Sequence, residues 1–194
     1  MIKLSGISQI ETERLSLRPF KKEDAIFMFK NWGADDKISK YMLWNTNRTV
    51  KDVEQVISFW IENYKNNSPT YQYAIILKEI NEPIGAFTLD INQKNHRADI
   101  AYCIGTRFQK RGFAKECIMA VRDYAFEQLK CIRISAEILK SNTASIKLIK
   151  SCGFTQEGVQ FKKIYSKRKC FEDLLLFSII NKNYKEIEKE LKIT

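Results

Sequence analysis

The stretch Ala98-Asp99-Ile100-Ala101-Tyr102-Cys103-Ile104, followed by Gln109-Lys110-Arg111-Gly112-Phe113-Ala114, decides how the rest of the chain is read. Its first half alternates at period two, which predicts a strand over 97–104 with Ile100, Tyr102 and Ile104 on one face and Asp99, Ala101 and Cys103 on the other. Its second half is a basic turn ending at Gly112, after which Ala114, Ile118, Val121, Ala125 and Leu129 recur at helical spacing. A helix start carries unpaired amide hydrogens and partial positive charge, so a strand, a glycine turn and a helix in this order build an anion site suited to a pyrophosphate. Gly112 lets backbone approach the anion, Lys110 and Arg111 add mobile charge, and Ala114 keeps the second turn small. The turn matches neither Gly-x-x-x-x-Gly-Lys-Ser/Thr nor Gly-x-Gly-x-x-Gly, and as a bare pattern it also fits an ordinary helix start.

Downstream, Ile132, Ile134, Ala136 and Ile138 alternate as a strand, and a right-handed crossover sets it parallel to the strand at 97–104. Asn142 caps a short helix with Ile146, Ile149 and Cys152 inward and Gly153 at its end. Strands near 154–164 and 171–180 follow, and 181–193 reads as a mixed-charge helix or a solvated end. Upstream, Tyr71, Tyr73, Ile75 and Leu77, the turn Asn81-Glu82-Pro83, and the run Ile84 to Ile91 predict a hairpin that joins the strand at 97–104 in a meander. Residues 9–20 read as one strand ended by Pro19, residues 21–32 as a helix. Thr49 caps a second helix whose stripe is Val53, Val56, Ile57, Trp60, Ile61 and Tyr64. The expected fold is α/β (α+β): a mixed sheet of six to seven strands, an antiparallel meander then a parallel pair, with helices on both faces. It is read as a single domain over 1–194, core 9–180 and tail 181–194.

A chain of 194 residues, 44% of them hydrophobic, has the means for one substantial core. Five cysteines with no Cys-x-x-Cys pair, and no basic-then-apolar leader, fit a reducing cytoplasm. A single histidine leaves almost nothing from which to build a zinc site or a His-based triad, so no metal is expected. No apolar run reaches the roughly 18 residues of a membrane span. The net charge of +10 favours acidic partners or simply serves solubility. Lys162, Lys163, Lys167, Arg168 and Lys169, interleaved with Ile164 and Tyr165, form a candidate contact surface.

The run Gln109-x-x-Gly112-x-Ala114 resembles the acetyl-CoA pyrophosphate loop of the GNAT superfamily of N-acetyltransferases, and 98–104 is similar to its central strand. Asn142-Thr143-Ala144-Ser145 and Cys152-Gly153-Phe154 are similar to the superfamily's Asn-x-x-Ser helix and Gly-Phe strand start. Thr12-Glu13-Arg14-Leu15-Ser16-Leu17-Arg18-Pro19 resembles the opening of the RimJ/RimL branch, the ribosomal-protein N-terminal acetyltransferases. The resemblance covers about 9–180.

It implies a splayed parallel strand pair with the pantetheine arm of acetyl-CoA in the wedge, lined by Tyr102, Cys103 and Ile104. The pyrophosphate would rest on Gln109, Lys110, Arg111, Gly112, Phe113 and Ala114, with Asn142 and Ser145 on the other side. An amine would attack the thioester directly in a ternary complex. Asp99, or else Glu137, would accept its proton through water, unless each merely pairs with Arg97 or Arg133. Backbone amides near Cys103 and Ile104 would stabilise the oxyanion. Where many members carry a tyrosine for the departing thiolate this chain has Ile149, so Ser145 is the candidate, if it is not just a capping hydroxyl.

The acceptor read from the resemblance is a protein N-terminal α-amine, such as that of a ribosomal protein, with possible ribosome association; the chain would act as a monomer or homodimer. A polyamine or aminoglycoside acceptor is the alternative, for which Asp35 and Asp36 are the only acidic pair in the loop 33–48. An inactive RNA-associated module is a further alternative, resting on 162–169. Cys117 and Cys152 read as core, His96 as an exposed turn residue, and Trp32 and Trp60 as packing. Trp44 reads as packing or as part of the acceptor cleft.

Overall fold

In the computed structural model, which describes residues 8–66 and 68–193, the strands are β1 (Ile10–Glu11), β2 (Leu15–Pro19), β3 (Thr70–Leu77), β4 (Glu82–Asn92), β5 (Arg97–Ile104), β6 (Arg133–Leu139), β7 (Thr155–Tyr165) and β8 (Phe171–Ile180). The helices are α1 (Ala25–Met28), α2 (Asp36–Ser39), α3 (Val50–Lys65), α4 (Phe113–Glu127), α5 (Thr143–Ser151) and α6 (Tyr184–Ile193). One sheet runs in the order β1-β2-β3-β4-β5-β6-β8-β7, with β5 and β6 its only parallel neighbours among the described residues.

The sheet has eight strands rather than six to seven because the expected single strand at 9–20 is a hairpin. Thr12 closes it: its amide donates to the Leu15 carbonyl at 2.9 Å, and its hydroxyl accepts from the Leu15 amide at 2.9 Å. The helix expected over 21–32 is a 3-10 turn at Lys22–Asp24, then α1, then a π turn at Phe29–Gly33. Thr49 caps α3 in a reciprocal box with Asp52. The tail forms α6. Among the described residues no helix is long and apolar enough to cross a membrane.

Two apolar layers follow from the alternation in the strands. One face carries Leu15, Tyr73, Phe87, Ile100, Ile134 and Phe177 against Cys117, Ile118 and Val121 of α4 and Ile149 of α5. The other carries Ala74, Ile76 and Cys103 against Met28, Trp32, Val53 and Ile57. Trp60 packs on Phe20 with ring centroids 4.8 Å apart. Cys117 and Cys152 are buried core residues. His96, expected on the surface, is buried and left-handed at φ 47°; its carbonyl accepts from the Ile132 amide at 2.6 Å, fastening the start of β6 to the β4–β5 turn.

Candidate active site

The parallel contact between β5 and β6 is short. Arg97, Ala98 and Asp99 pair with Arg133, Ile134 and Ser135, and there the ladder stops. β5 runs on to Ile104 against β4, and β6 runs on to Leu139 against β8. Each strand keeps its outer neighbour and loses the inner one, so a wedge opens between Ile100–Ile104 and 136–139. The His96 carbonyl points towards β6 and the Gly105 amide towards β4, donating to Ile84 at 2.8 Å. Alternation then turns the backbone groups of Ile100, Tyr102 and Ile104 into the wedge. Of the two amides expected beside the oxyanion, that of Ile104 faces the wedge and that of Cys103 faces β4. The Cys103 side chain leaves the wedge altogether for the α1–α3 layer, where burial pushes its thiol up to about 12.

Glycine is required where β4 approaches β5 at the wedge. A Cβ on Gly85 would lie 2.2 Å from the Cys103 carbonyl. A register shift in β4 at this point, between the partners of Ile75 and Ile76, bends the strand beside the opening.

The glycine turn sits at the wedge mouth. Lys110 and Gly112 have φ of 61° and 85°, and Gly112 precedes the first residue of α4. The first helical bond is from Glu116 to the Gly112 carbonyl at 3.1 Å, so the amides before it are not used inside the helix. Gln109, Lys110, Arg111 and Gly112 are exposed, leaving the turn open to an anion, while Phe113 is buried beneath it. Gln109 ties the turn to the strand end by donating its side-chain amide to the Ile104 carbonyl at 2.9 Å. Arg14 ties the other side, donating to the Arg111 carbonyl at 3.0 Å. Arg14 is itself held by Glu116, whose carboxylate also takes the Thr12 hydroxyl. The Thr12–Pro19 motif thus acts on the turn through space, which its position in the chain does not reveal.

Across the wedge, the Asn142 side chain caps α5 by accepting from the Ser145 amide at 3.2 Å. The Ser145 hydroxyl is not a cap: it lies 2.8 Å from the Tyr102 hydroxyl of β5. Ile149 is buried.

Asp99, Ser135 and Glu137 lie on the sheet face away from α4. Asp99 sits at the apex of the wedge, Glu137 on its β6 wall. Among the described residues neither carboxylate makes an ion pair within 4.0 Å, and Arg133 is committed to Glu157. Asp99 lines an open groove of about 410 Å³ with Pro69, Asp90, Asn92, Gln93 and Arg97, and Asp90 is its direct cross-strand partner. Burial holds the Asp99 carboxyl above the usual range; Arg97 and Arg133 oppose this and Asp90 adds to it. The like-charged pair was not legible before the register was known.

The loop 33–48 and the β7–β8 tip meet beside this face. Lys167 donates to the Ser39 carbonyl at 3.0 Å and to the Trp44 carbonyl, with its ammonium 5.7 Å from the Trp44 ring. Arg168 lies 3.7 Å from the buried Glu172. Asp35 accepts from the Lys37 amide and Thr106 hydroxyl, and Asp36 from Thr46.

A strand pair splayed beyond three pairings, with an open glycine turn at its mouth, has the shape to admit an extended pantetheine arm and its pyrophosphate. The sequence profile of the acetyltransferase (GNAT) domain matches residues 14–155. The chain is a GNAT-family N-acetyltransferase. It is 34% identical over 175 residues to the uncharacterised N-acetyltransferase p20 of Bacillus licheniformis, covering 89% of this chain and 96% of that one. The fold matches that of the ribosomal-protein-S5-alanine acetyltransferase of Vibrio fischeri (TM-score 0.79, 21% identity, 92% and 99% of the two chains). It also matches spermidine N-acetyltransferase of Vibrio cholerae, solved with CoA and spermine (TM-score 0.76, 21% identity, 89% and 99%). At that identity the two structures share its fold, and they differ from each other in acceptor. Acetyl-CoA is the acyl donor that GNAT acetyltransferases use, and the wedge and turn of this chain fit it.

Proposed function

We propose that this N-acetyltransferase acetylates the α-amine at a protein N-terminus, within one catalytic domain spanning about 9–180. Bound acetyl-CoA supplies the activated acetyl group. The backbone of Ile100 and Tyr102 aligns the pantetheine arm, the amides from Lys110 to Ala114 receive the pyrophosphate, since that of Gln109 is bonded to the Thr106 carbonyl, and the α5 start at Asn142 flanks it. The Ile104 amide is aimed at the oxyanion. Asp99 takes the ammonium proton through water, with Glu137 as the rival on the opposite wall. Ser145 faces the leaving sulfur.

The single observation that carries the donor half is the loss of β5–β6 pairing after Asp99 and Ser135. For the acceptor half the argument is electrostatic. A protein of charge +10 repels a polycation over long range and attracts a chain end rich in acidic residues. Asp35 and Asp36, the acids of the acceptor loop, are occupied by contacts within the fold. The second reading, a small cationic amine, is favoured by the Asp90–Asp99 pair in the open groove.

The test is a melting-temperature shift with acetyl-CoA, then acetyl transfer to a panel of acidic, neutral and basic N-terminal peptides, spermidine and an aminoglycoside, read by product mass. Peptide turnover supports the proposal; turnover of spermidine or the aminoglycoside without peptide turnover replaces it with the second reading. RNA binding with steep salt dependence and no shift by acetyl-CoA would return the chain to a binding module.

A further inference from the structure

Tyr102 and Ser145 approach from opposite sides of the wedge, one on β5 and the other in the first turn of α5, and meet hydroxyl to hydroxyl at 2.8 Å. Nothing in the fold's packing demands this contact. The Tyr102 ring is already stacked on Phe87 at 6.1 Å and 23°, and the α5 start is already capped by Asn142. The two hydroxyls lie where the thioester sulfur must pass if the arm runs along Ile100–Ile104. The usual position for a tyrosine near that sulfur is buried Ile149 in this chain.

We propose that Tyr102 is a positioning residue: its phenol donates to Ser145 Oγ and thereby aims the Ser145 hydroxyl proton at the sulfur of coenzyme A. The phenol thus stands in from the strand for the one that α5 lacks. This rests on the placement of acetyl-CoA proposed above.

Magnitudes decide what the pair does. Burial pushes the Tyr102 phenol up to about 12, whereas an ordinary thiol ionises near ~8.5. Handing a proton outright from this phenol to a thiolate runs uphill by more than three powers of ten, so both hydroxyls keep their protons and act by hydrogen bonding. As the C–S bond breaks, its electron pair goes to sulfur, and the resulting thiolate accepts a hydrogen bond from Ser145. The proton shed by the amine goes to the carboxylate and water; the thiolate takes its own proton from solvent on release. The titratable neighbour of Tyr102, the Cys152 thiol at the end of α5, is itself pushed up by burial.

The experiment is calorimetric binding of CoA and of desulfo-CoA to the full chain and to Tyr102→Phe, Ser145→Ala and the double variant, from pH 7 to 9.5. If the pair stabilises the thiolate, CoA binds wild type more tightly as pH rises, by roughly tenfold for each unit by which the bound thiol's pKa is lowered. Desulfo-CoA shows no such trend, and all three variants lose it while binding desulfo-CoA as wild type does. With the acceptor found in the panel, each single variant loses roughly ten- to hundredfold in kcat, the worth of one hydrogen bond to a charged group. The acetyl-CoA KM stays within about threefold, the double variant is no worse than either single, and Ser145→Thr restores most of the rate. A pH trend retained in Tyr102→Phe overturns the inference, as do additive losses in the double variant. Failure of wild type to bind desulfo-CoA at all would instead overturn the placement of the donor.

Discussion

Arg14 and Glu116 lie 102 positions apart and meet at the cofactor turn, where Glu116 Oε2 accepts from Arg14 Nε at 2.8 Å and from Nη2 at 2.6 Å. The other oxygen, Oε1, takes the Arg14 amide and the Thr12 hydroxyl, so one carboxylate gathers the β1–β2 turn. The freed end of the guanidinium then holds the Arg111 carbonyl. Glu116→Gln is expected to raise the acetyl-CoA KM about five- to twentyfold with kcat nearly kept, and to cost about 1.5–3 kcal/mol in chemical unfolding. A KM within twofold of wild type would reduce the brace to a structural role. Burial works against the Glu116 charge, but Thr12 and Arg14 outweigh it and hold its carboxyl below the usual range. Its stabilisation is therefore present above the unfolded carboxylate value and lost as pH falls through the lower folded one. The stability difference between wild type and Glu116→Gln should narrow across that acidic window.

At Gly112, φ of 85° is strained for any residue with a Cβ, and that atom would come within 3.3 Å of Arg14 Nη2. Gly112→Ala should cost about 1–2 kcal/mol of stability for the left-handed backbone. CoA affinity should fall roughly tenfold or more, because the turn either relaxes or pushes Arg14 from the Arg111 carbonyl. Calorimetry on the purified variant checks both, and unchanged affinity would remove the turn from the pyrophosphate site.

Asp99 makes a pH prediction with a definite sign. A base must be ionised, so kcat/KM should rise with pH through the raised Asp99 pKa, and the acid limb should lie above that of an ordinary aspartate. Asp90→Asn removes one of the groups that raise it and should move the limb to lower pH. Since the folded value is raised, ionisation of Asp99 opposes folding once pH passes the unfolded value. Asp99→Asn should accordingly keep or raise the melting temperature at pH 7 while cutting kcat about 10²–10⁴-fold. A rate that survives Asp99→Asn and falls with Glu137→Gln transfers the role to Glu137.

Lys167 joins the β7–β8 tip to the loop 33–48 through the carbonyls of Ser39 and Trp44. Lys167→Met should loosen that loop and raise the acceptor KM severalfold with CoA binding unchanged. Limited proteolysis between 40 and 48 should accelerate. Equal proteolysis rates would show that the bond does not restrain the loop.

The central motif was legible because its information is local. Period-two alternation in 97–104, a glycine at the helix start and an asparagine cap each act within a few residues, and each lies where its spacing placed it. The strand at 9–20 was misjudged because Thr12 closes a turn with its own side chain, a hydrogen bond that alternation does not encode. His96 was expected outside because turns are exposed; its carbonyl is instead the anchor of β6. Within the basic run 162–169, charge alone did not show that Lys167 and Arg168 turn towards Trp44 and Glu172.

The chain's own order of residues determined the sheet's central strand, the anion-accepting turn and the capped helix after it, since backbone geometry and burial of alternate side chains are settled by near neighbours. The tertiary structure alone decided where β5 and β6 part, which carboxylates share the groove, and that Tyr102 meets Ser145 and Arg14 meets Glu116. Those relationships depend on register and on chain segments dozens of residues apart, and only packing of the whole sheet brings them within hydrogen-bonding distance.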